Sequence, residues 1–231
     1  MIRFVALLLA VAIPAGVAAA EPEAPGEPAP APKNGARGYL GFGLAVAGNT
    51  LETPLGDADS SGAGLMVNGV GHSGKVNPSL DIAFRGEAAL MGREFDGSGE
   101  EVGDILFELD GGLRISGLLL LTLGYTTQFT VYENPDVVTS YSVIPVGIGL
   151  LHTTDSGYLL GQLRVGEGRL SNDQDNATES VGYAGIRAAV QHGFGSGVQL
   201  MVALGLDTYE VDDLDVTDQF FRFEFGLGFG L

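Results

Sequence analysis

Charged side chains recur at alternate positions inside long, otherwise apolar stretches of the sequence. Residues 104–115 show the pattern, with Glu108, Asp110 and Arg114 on one face and bulky apolar residues on the other. The charges predicted to matter most are Arg85, Glu87, Glu108, Asp110, Arg114, Arg164, Arg187, Arg222 and Glu224. Charges withdrawn from water persist only with partners. The set is therefore predicted to form either a salt-bridge plug in a narrow interior or a gate that selects ions.

The three histidines, His72, His152 and His192, are the residues that could support hydrolytic chemistry. A catalytic base needs a nucleophile and an orienting group within hydrogen-bond reach. All three histidines fall at the predicted inner ends of strands, and no cluster of acid, histidine and serine assembles at the opposite end. The sequence therefore predicts interfacial packing for the histidines and no catalytic site, which leaves a barrel hydrolase as the least favoured function.

One short acidic motif suggests a metal site. Asp57-x-Asp59-x-Ser61 resembles the first half of a calcium-binding loop, whose ligands are oxygen atoms. The twelfth position, where a bidentate acid should close the loop, is Asn68. These residues are weak candidates, and a solvated acidic rim is the expected arrangement. No metal or cofactor is predicted.

The final stretch of the chain indicates the fold. On one face lie the apolar residues Phe221, Phe223, Phe225, Leu227, Phe229 and Leu231, and on the other lie two charges and three glycines. A soluble strand would point its apolar face at a core and a polar face at water. A transmembrane β-barrel inverts this arrangement, because large apolar residues face lipid and small or charged residues face a narrow interior.

The same alternation predicts ten strands, and hence an all-β protein with a ten-stranded antiparallel transmembrane β-barrel. The strands are predicted at about 37–48, 62–72, 79–92, 104–115, 118–132, 141–153, 158–168, 180–192, 198–209 and 219–231. Connections after the odd-numbered strands are longer and acidic, and the others are mostly short. Bacterial transmembrane barrels have even strand numbers, short periplasmic turns and longer extracellular loops.

This pattern resembles the small bacterial outer-membrane β-barrels of the OmpA and OmpX type, with ten strands rather than eight, over essentially the whole mature chain. The resemblance implies that the final strand is an assembly signal, read by the barrel assembly machinery through Phe221, Phe223, Phe225, Leu227, Phe229 and Leu231. Such signals usually end in an aromatic residue, whereas this sequence ends in Leu231 with Phe229 two positions before it.

The amino terminus predicts export. Residues 1–20 combine a basic start, an apolar run and Ala18-Ala19-Ala20, which is typical of a signal peptide cleaved after Ala20. Residues 21–36 are rich in proline and alanine and are expected to form a disordered periplasmic tail. The barrel then covers 37–231. The net charge of −18 disfavours nucleic acid as a partner, and the predicted location is the bacterial outer membrane.

The sequence favours a monomer with a non-enzymatic role in envelope integrity or surface interaction. The alternative function is a narrow, cation-preferring channel, and the alternative fold is an exported soluble barrel or sandwich. Expected partners are outer-membrane lipid and lipopolysaccharide, bridged by divalent cations. Two lipid-facing aromatic girdles are also expected; they comprise Tyr125, Phe129, Tyr132, Tyr141, Tyr183, Tyr209 and Phe220 at the outer side, and Tyr39, Phe84, Tyr158, Phe194 and Phe229 at the inner side.

Overall fold

The computed structural model describes residues 35–133, 136–174, 178–193, 197–211 and 214–231. The predicted signal peptide (1–20) and all but the last two residues of the predicted tail (21–36) lie outside this part of the chain. Ten strands are present: β1 (Arg37–Thr53), β2 (Gly56–Asn77), β3 (Leu80–Phe95), β4 (Glu101–Ile115), β5 (Leu119–Glu133), β6 (Asp136–Thr154), β7 (Gly157–Asn172), β8 (Thr178–Gly193), β9 (Val198–Val211) and β10 (Val216–Gly230). Within the described residues, no helix is long and apolar enough to cross a membrane.

The ten strands form one closed antiparallel barrel within the unit 36–231. Each strand pairs with the next along the chain, and β1 pairs with β10 to close the sheet. The predicted ten-stranded barrel is thus confirmed. We call the end that carries Arg37 and Leu231 the inner end, and the opposite end, where β1 turns into β2, the outer end.

Alternation along each strand gives the wall two chemically different faces. On the exterior, bulky apolar side chains are about half exposed, as for Leu109, Ile144 and Phe221. On the interior, polar, charged and small side chains are buried. Because side chains alternate across a strand with period two, a run such as Phe221 to Phe229 places every second residue outside and its neighbours inside.

The outer ends of the strands differ from the predicted boundaries. Residues 49–61, expected as a loop, belong to β1 and β2 except for Pro54 and Leu55. The expected loops after β3, β5, β7 and β9 likewise give up residues to the flanking strands. Most residues of these segments are polar, so the alternation of apolar and polar residues that marks a strand is weak there. The backbone hydrogen bonds between neighbouring strands nevertheless continue, so the strands remain paired up to the outer end of the barrel.

Two glycines determine how closely the closing strands approach. Gly43 of β1 and Gly226 of β10 are directly paired. A methyl group added to Gly226 would lie 2.1 Å from the carbonyl oxygen of Phe42, and one added to Gly43 would lie 2.2 Å from that of Phe225. Neither carbonyl can move without breaking the ladder. Glycine is therefore required on both strands at the point where the barrel closes.

Candidate functional site

The middle of the barrel interior holds a continuous network of ion pairs. Four arginines and five carboxylates from β3, β4, β7, β8, β9 and β10 contribute to it: Arg85, Arg164, Arg187, Arg222, Glu87, Glu108, Asp110, Asp207 and Glu224. All are buried. The structure thus brings together eight of the nine predicted charges and adds Asp207, so that residues from opposite walls meet across the bore.

Glu108 is the centre of the network. Its carboxylate lies 3.0 Å from Arg164 Nη1 and 2.8 Å from Arg222 Nη2, and it also accepts a hydrogen bond from Arg85. These arginines come from β7, β10 and β3. A carboxylate with three guanidinium partners has the compensation that a desolvated charge needs.

A second carboxylate centre lies beside the first. Glu224 accepts two hydrogen bonds of 2.7 Å from Arg187. The Arg187 guanidinium also donates to Glu87, which lies 3.2 Å from Arg85 and 3.4 Å from Arg222. Arg85 and Arg222 both contact Glu108 and Glu87, and Arg187 joins Glu87 to Glu224, so the carboxylates form one unit rather than separate pairs.

Two aspartates complete the network at its edges. Asp207 lies 3.1 Å from Arg164 and 2.8 Å from Arg222, and it accepts a 2.5 Å hydrogen bond from the Tyr183 hydroxyl. Asp110 lies 2.9 Å from Arg85 Nε. The five carboxylates engage all four guanidinium groups, but the buried Nε atoms of Arg164 and Arg222 have no hydrogen-bond partner among the described residues.

Apolar layers lie on both sides of the charged network. Toward the inner end the layer comprises Tyr39, Val70, Ala83, Leu120, Leu151, Tyr158, Leu160, Ala189 and Ala203. A second cluster lies alongside the network and comprises Ala45, Ala47, Met66, Ala89, Met91, Leu106 and Met201. A third lies toward the outer end and comprises Tyr141, Val143, Val181, Tyr183, Tyr209, Val211 and Phe220. The charges are therefore enclosed between apolar layers, as in a protein core.

The interior is too tightly filled for a water-filled bore through its middle. Side chains that line an aqueous channel remain accessible to water, whereas Arg187, Glu224 and Leu151 are each at most 1% exposed. One void beside Asp110 and Gln162 has a volume of only about 10 Å³, which is close to the space that a single water molecule requires. The network therefore fills the middle of the barrel.

Arg114, the ninth predicted charge, belongs to a separate cluster near the inner end. It forms two hydrogen bonds with Asp81, of 2.9 and 2.6 Å, and donates a third of 2.8 Å to Thr153 Oγ1. His72 Nε2 lies 3.0 Å from the same hydroxyl oxygen, and His72 Nδ1 lies 3.5 Å from Asp81. The composition is similar to that of a hydrolytic triad of hydroxyl, imidazole and carboxylate.

The hydrogen bonds of this inner cluster differ from those of a catalytic base. His72 Nδ1 accepts the backbone N–H of Gly74 at 3.2 Å, so in the neutral ring Nε2 carries the proton and donates it to Thr153. An imidazole that donates to the hydroxyl cannot remove its proton. The Thr153 oxygen is also occupied by Arg114, and the cluster therefore joins β2, β3, β4 and β6 at the inner end.

A third charged cluster, near the outer end, was missed by the sequence reasoning. Arg93 forms a bidentate ion pair with Asp104, whose Oδ1 also accepts a 2.7 Å hydrogen bond from Thr130. Arg93 Nη1 lies 2.9 Å from the side-chain oxygen of Asn49. The alternation of β3 would have placed Arg93 inside, but residue 93 was assigned to a loop. Asp104 was the first residue of the predicted strand 104–115 and was not singled out.

Asp218 lies beside this outer cluster, beyond the apolar band of the exterior. It accepts a hydrogen bond from Asn49 and is buried. Burial raises the pKa of Asp218 to about 6, although hydrogen bonds with Asn49 and Tyr141 and the charge of Arg93 act in the opposite direction. The Asp218 carboxyl therefore binds its proton more tightly than an ordinary aspartate does.

Three solved outer-membrane proteins are similar to this chain. The outer membrane protease OmpT from Escherichia coli matches with a TM-score of 0.44 at 9% identity, covering 87% of this chain and 98% of the protease. An outer membrane channel from Pseudomonas putida F1 matches with a TM-score of 0.42 at 10% identity, covering 91% of this chain and 100% of the channel.

A third similar structure is Ail, the attachment invasion locus protein of Yersinia pestis, with a TM-score of 0.38 at 11% identity over 83% of this chain and 99% of Ail. No family model matches the sequence, and no curated protein does. The three similar proteins are a protease, a channel and an attachment protein. At these identities the likeness concerns the fold, and the function of this chain has to be argued from its own residues.

The predicted aromatic girdles are wrong for most of their residues. Tyr141, Tyr183, Tyr209 and Phe220 lie inside the barrel near the outer end, where Tyr141 and Tyr209 stack with ring centroids 4.4 Å apart. Tyr39 and Tyr158 also lie inside, at the inner end, and Tyr132 lies on the inward face of β5. Each occupies an inward position in the alternation of its strand. Tyr125, Phe84 and Phe229 are exposed on the exterior as expected, and Phe194 lies outside the described residues.

The weak calcium candidates do not form a loop. Asp57, Asp59 and Ser61 lie at alternate, exposed positions of the extended strand β2. Asp59 accepts a 2.7 Å hydrogen bond from Thr50 of β1. Alternate residues of a strand are about 6.6 Å apart, so Asp57 and Ser61 are about 13 Å apart and the three side chains cannot surround one ion as a calcium loop does. In the part of the chain that the structure describes, no three histidine, aspartate or glutamate side chains are arranged to hold a metal.

The residues of the proposed assembly signal lie on the exterior of the last strand. Phe221, Phe223, Phe225, Leu227 and Phe229 form one apolar row along β10, and Leu231 follows directly after the strand. The inward glycines of β10 make room for other groups. A methyl group on Gly228 would lie 2.3 Å from the buried side chain of Gln191.

Proposed function

We propose that the chain spans the bacterial outer membrane as a non-conducting barrel and acts, without catalysis, in envelope integrity or surface interaction. The observation that carries this proposal is the filled interior, in which paired charges are enclosed between apolar layers. A barrel whose bore is occupied by its own side chains is suited to hold a surface in the membrane, because nothing as large as a hydrated ion fits through its middle.

The membrane location is supported by the exterior of the wall. Apolar side chains such as Leu163, Ile148 and Phe223 would expose a continuous hydrophobic band to water if the barrel were soluble. In a membrane the same band is in contact with lipid acyl chains, which are also apolar. The expected signal peptide agrees with export, and the exposed apolar row of β10 suits recognition by the barrel assembly machinery.

The outer part of the wall provides the surface for interaction. Beyond the last half-exposed apolar residue of β1, Val46, the strand continues through residues 47–53, which is roughly 23 Å along the strand at 3.3 Å per residue. Exposed carboxylates such as Glu52, Asp57 and Glu94 lie on this outer part of the wall. We propose that divalent cations bridge them to anionic lipopolysaccharide, since carboxylate and phosphate oxygens suit Ca²⁺ and Mg²⁺.

The absence of catalysis is supported by the inner cluster. There the hydroxyl, imidazole and carboxylate groups occur together, but His72 donates to Thr153 and Arg114 holds the same oxygen. The arrangement stabilises the inner end instead of activating a nucleophile.

Single-channel recording on the refolded mature chain tests the proposal. The chain should fold in detergent, shift its gel mobility on heating, insert into a planar bilayer and pass no current. Steady cation-selective steps that change with Arg164→Ala would contradict the plug and favour the channel. Arg114→Ala, outside the central network, is the matched control for a general loss of folding.

A separate measurement tests the cation bridge. Binding of the refolded barrel to lipopolysaccharide vesicles should increase with millimolar Ca²⁺ and reverse with a chelator. The variant Glu52→Gln/Asp57→Gln/Glu94→Gln should lose most of this dependence. Calcium-independent binding would remove the proposed role of the acidic extension.

A further inference from the structure

An open groove lies on the exterior of the barrel, across β6 to β9, where the apolar band meets the projecting outer wall. It has a volume of about 680 Å³. Its lining includes the apolar side chains of Ile144, Val146 and Val165 and two exposed glutamates, Glu167 and Glu210. It is therefore amphipathic, unlike the surrounding lipid-facing surface.

The strand register explains the groove. Glu167 of β7 pairs with Gly182 of β8, and Gly182 pairs with Glu210 of β9. The three residues form one row across three strands, so the Cα atoms of the two glutamates are roughly 10 Å apart at 4.8 Å per strand. Because the central residue has no side chain, the row presents two carboxylates with an open gap between them.

The floor of the groove lies one row closer to the apolar band. Val165, Ala184 and Thr208 form that row. Because the Ala184 side chain is small, the groove extends from Gly182 over Ala184. Ile144 and Val146 of β6, both more than half exposed, form the side of the groove. An acyl chain fits this floor, and its head group would then lie level with the carboxylates.

We propose that this groove binds a membrane lipid whose head group carries an ammonium group, with one acyl chain on the apolar floor and the ammonium between Glu167 and Glu210. The argument for this occupant is charge complementarity. Two carboxylates flanking a gap attract a cationic group and repel an anionic one. Arg169 is the next residue toward the outer end on the same face of β7, where its guanidinium can contact a head-group phosphate.

A second exterior groove gives an internal comparison. It has a similar volume, about 670 Å³, and is lined by Phe42, Leu44, Leu200 and Val202 among others, with no charged residue in its lining. Acyl chains can occupy this groove without regard to the head group. The selectivity proposed for the first groove therefore depends on its two glutamates.

The inference rests on the proposed membrane location and is tested on the refolded mature chain in mild detergent. Native mass spectrometry would compare phosphatidylethanolamine with phosphatidylglycerol of identical acyl chains. We expect about tenfold tighter retention of phosphatidylethanolamine, which corresponds to the gain of one charge-assisted contact. Glu167→Gln/Glu210→Gln should abolish the preference.

Two further variants make the test specific. Gly182→Leu fills the gap while keeping both carboxylates, and it should also abolish the preference. Glu101→Gln removes an exposed exterior glutamate of β4, away from the groove, and it should leave the preference intact.

Equal retention of the two lipids by the folded barrel would overturn the inference, as would a preference that survives Glu167→Gln/Glu210→Gln. Phosphatidylglycerol retention that appears only with Ca²⁺ would also overturn it, because the carboxylates would then hold a metal ion. A chain that fails to insert into bilayers contradicts the proposed function instead, so the two failures are distinguishable.

Discussion

The two faces of the barrel wall follow different rules although they alternate along the same strands. On the interior, each side chain has specified neighbours, as for Glu108 with its three arginines. On the exterior, residues such as Leu163 and Ile186 share one property, an apolar surface that is about half exposed. The interior is therefore constrained position by position, whereas the exterior is constrained mainly by hydrophobicity. Variants matched across the wall can measure that difference.

The largest effect is expected at the centre of the network. Glu108→Ala leaves Arg85, Arg164 and Arg222 without their shared partner, and breaking a buried ion pair by removing one side costs about 3–5 kcal/mol. Glu101→Ala, on the exposed exterior of β4, should change the free energy of unfolding by less than about 0.5 kcal/mol. Urea unfolding in detergent, followed by far-ultraviolet circular dichroism, measures both. Equal effects would show that the interior charges are not a cooperative unit.

A pH-dependent effect is expected at Asp218. Its pKa of about 6 in the folded state lies above the ordinary aspartate value, so the folded state binds the proton more tightly and stability falls as the pH rises from about 4 to 6. The cost at neutral pH is roughly 3 kcal/mol. Asp218→Asn keeps the shape and removes the charge.

At each pH, the difference in unfolding free energy between the wild type and Asp218→Asn isolates the contribution of the Asp218 carboxyl from those of the other carboxyl groups. The difference should favour the variant increasingly from pH 4 to pH 6 and stay constant above it. A difference that does not vary with pH would place the pKa of Asp218 near its ordinary value.

A smaller effect is expected at the glycines. Gly226→Ala places a methyl group against the Phe42 carbonyl, and such overpacking costs about 1–3 kcal/mol. The control is Gly111→Ala on the exterior, where an added methyl group meets nothing within 4 Å. The gel-mobility transition temperature should fall only for Gly226→Ala. A similar decrease for both variants would indicate a general effect of losing glycine.

The smallest effect is expected on the exterior itself. Phe84 lies over its cross-strand neighbour Gly71, an aromatic–glycine pair of the kind that stabilises strand pairing. Cross-strand pairs contribute about 0.2–1 kcal/mol, so Phe84→Leu should destabilise by less than 1 kcal/mol. Phe42→Leu, whose partners are Val67 and Leu227, should have no measurable effect in the same urea titration.

The sequence predicted the wall well because a wall with lipid outside and protein inside imposes period two on every strand. That alternation was sufficient to identify ten strands and to place Arg187 and Glu224 on inward faces. The alternation did not predict strands where the two faces do not differ in polarity. Residues 49–61 are mostly polar on both faces, so β1 was ended too early and β2 was started too late, although their backbones remain paired.

Partner choice could not be read from the sequence. Arg222 contacts residues on β3, β4 and β9, and such contacts depend on how far each strand is shifted along its neighbour. The tyrosines were misplaced for another reason, since general enrichment at membrane interfaces was given more weight than their inward positions. The groove between Glu167 and Glu210 also required the register, because only the pairing with Gly182 places them in one row.

The crossing of the bore by the network has a consequence for the order of folding. Nine of the ten strand pairings join neighbours along the chain, and only the pairing of β1 with β10 joins its distant ends. The bonds from Arg187 to Glu87 and from Arg222 to Glu108 link residues 100 and 114 positions apart. Their strands lie on opposite walls, so these bonds become possible only once the sheet has curled and closed. We therefore expect the carboxylates and guanidinium groups to stay hydrated until the barrel has closed, and the interior to lose its water after the strands have paired.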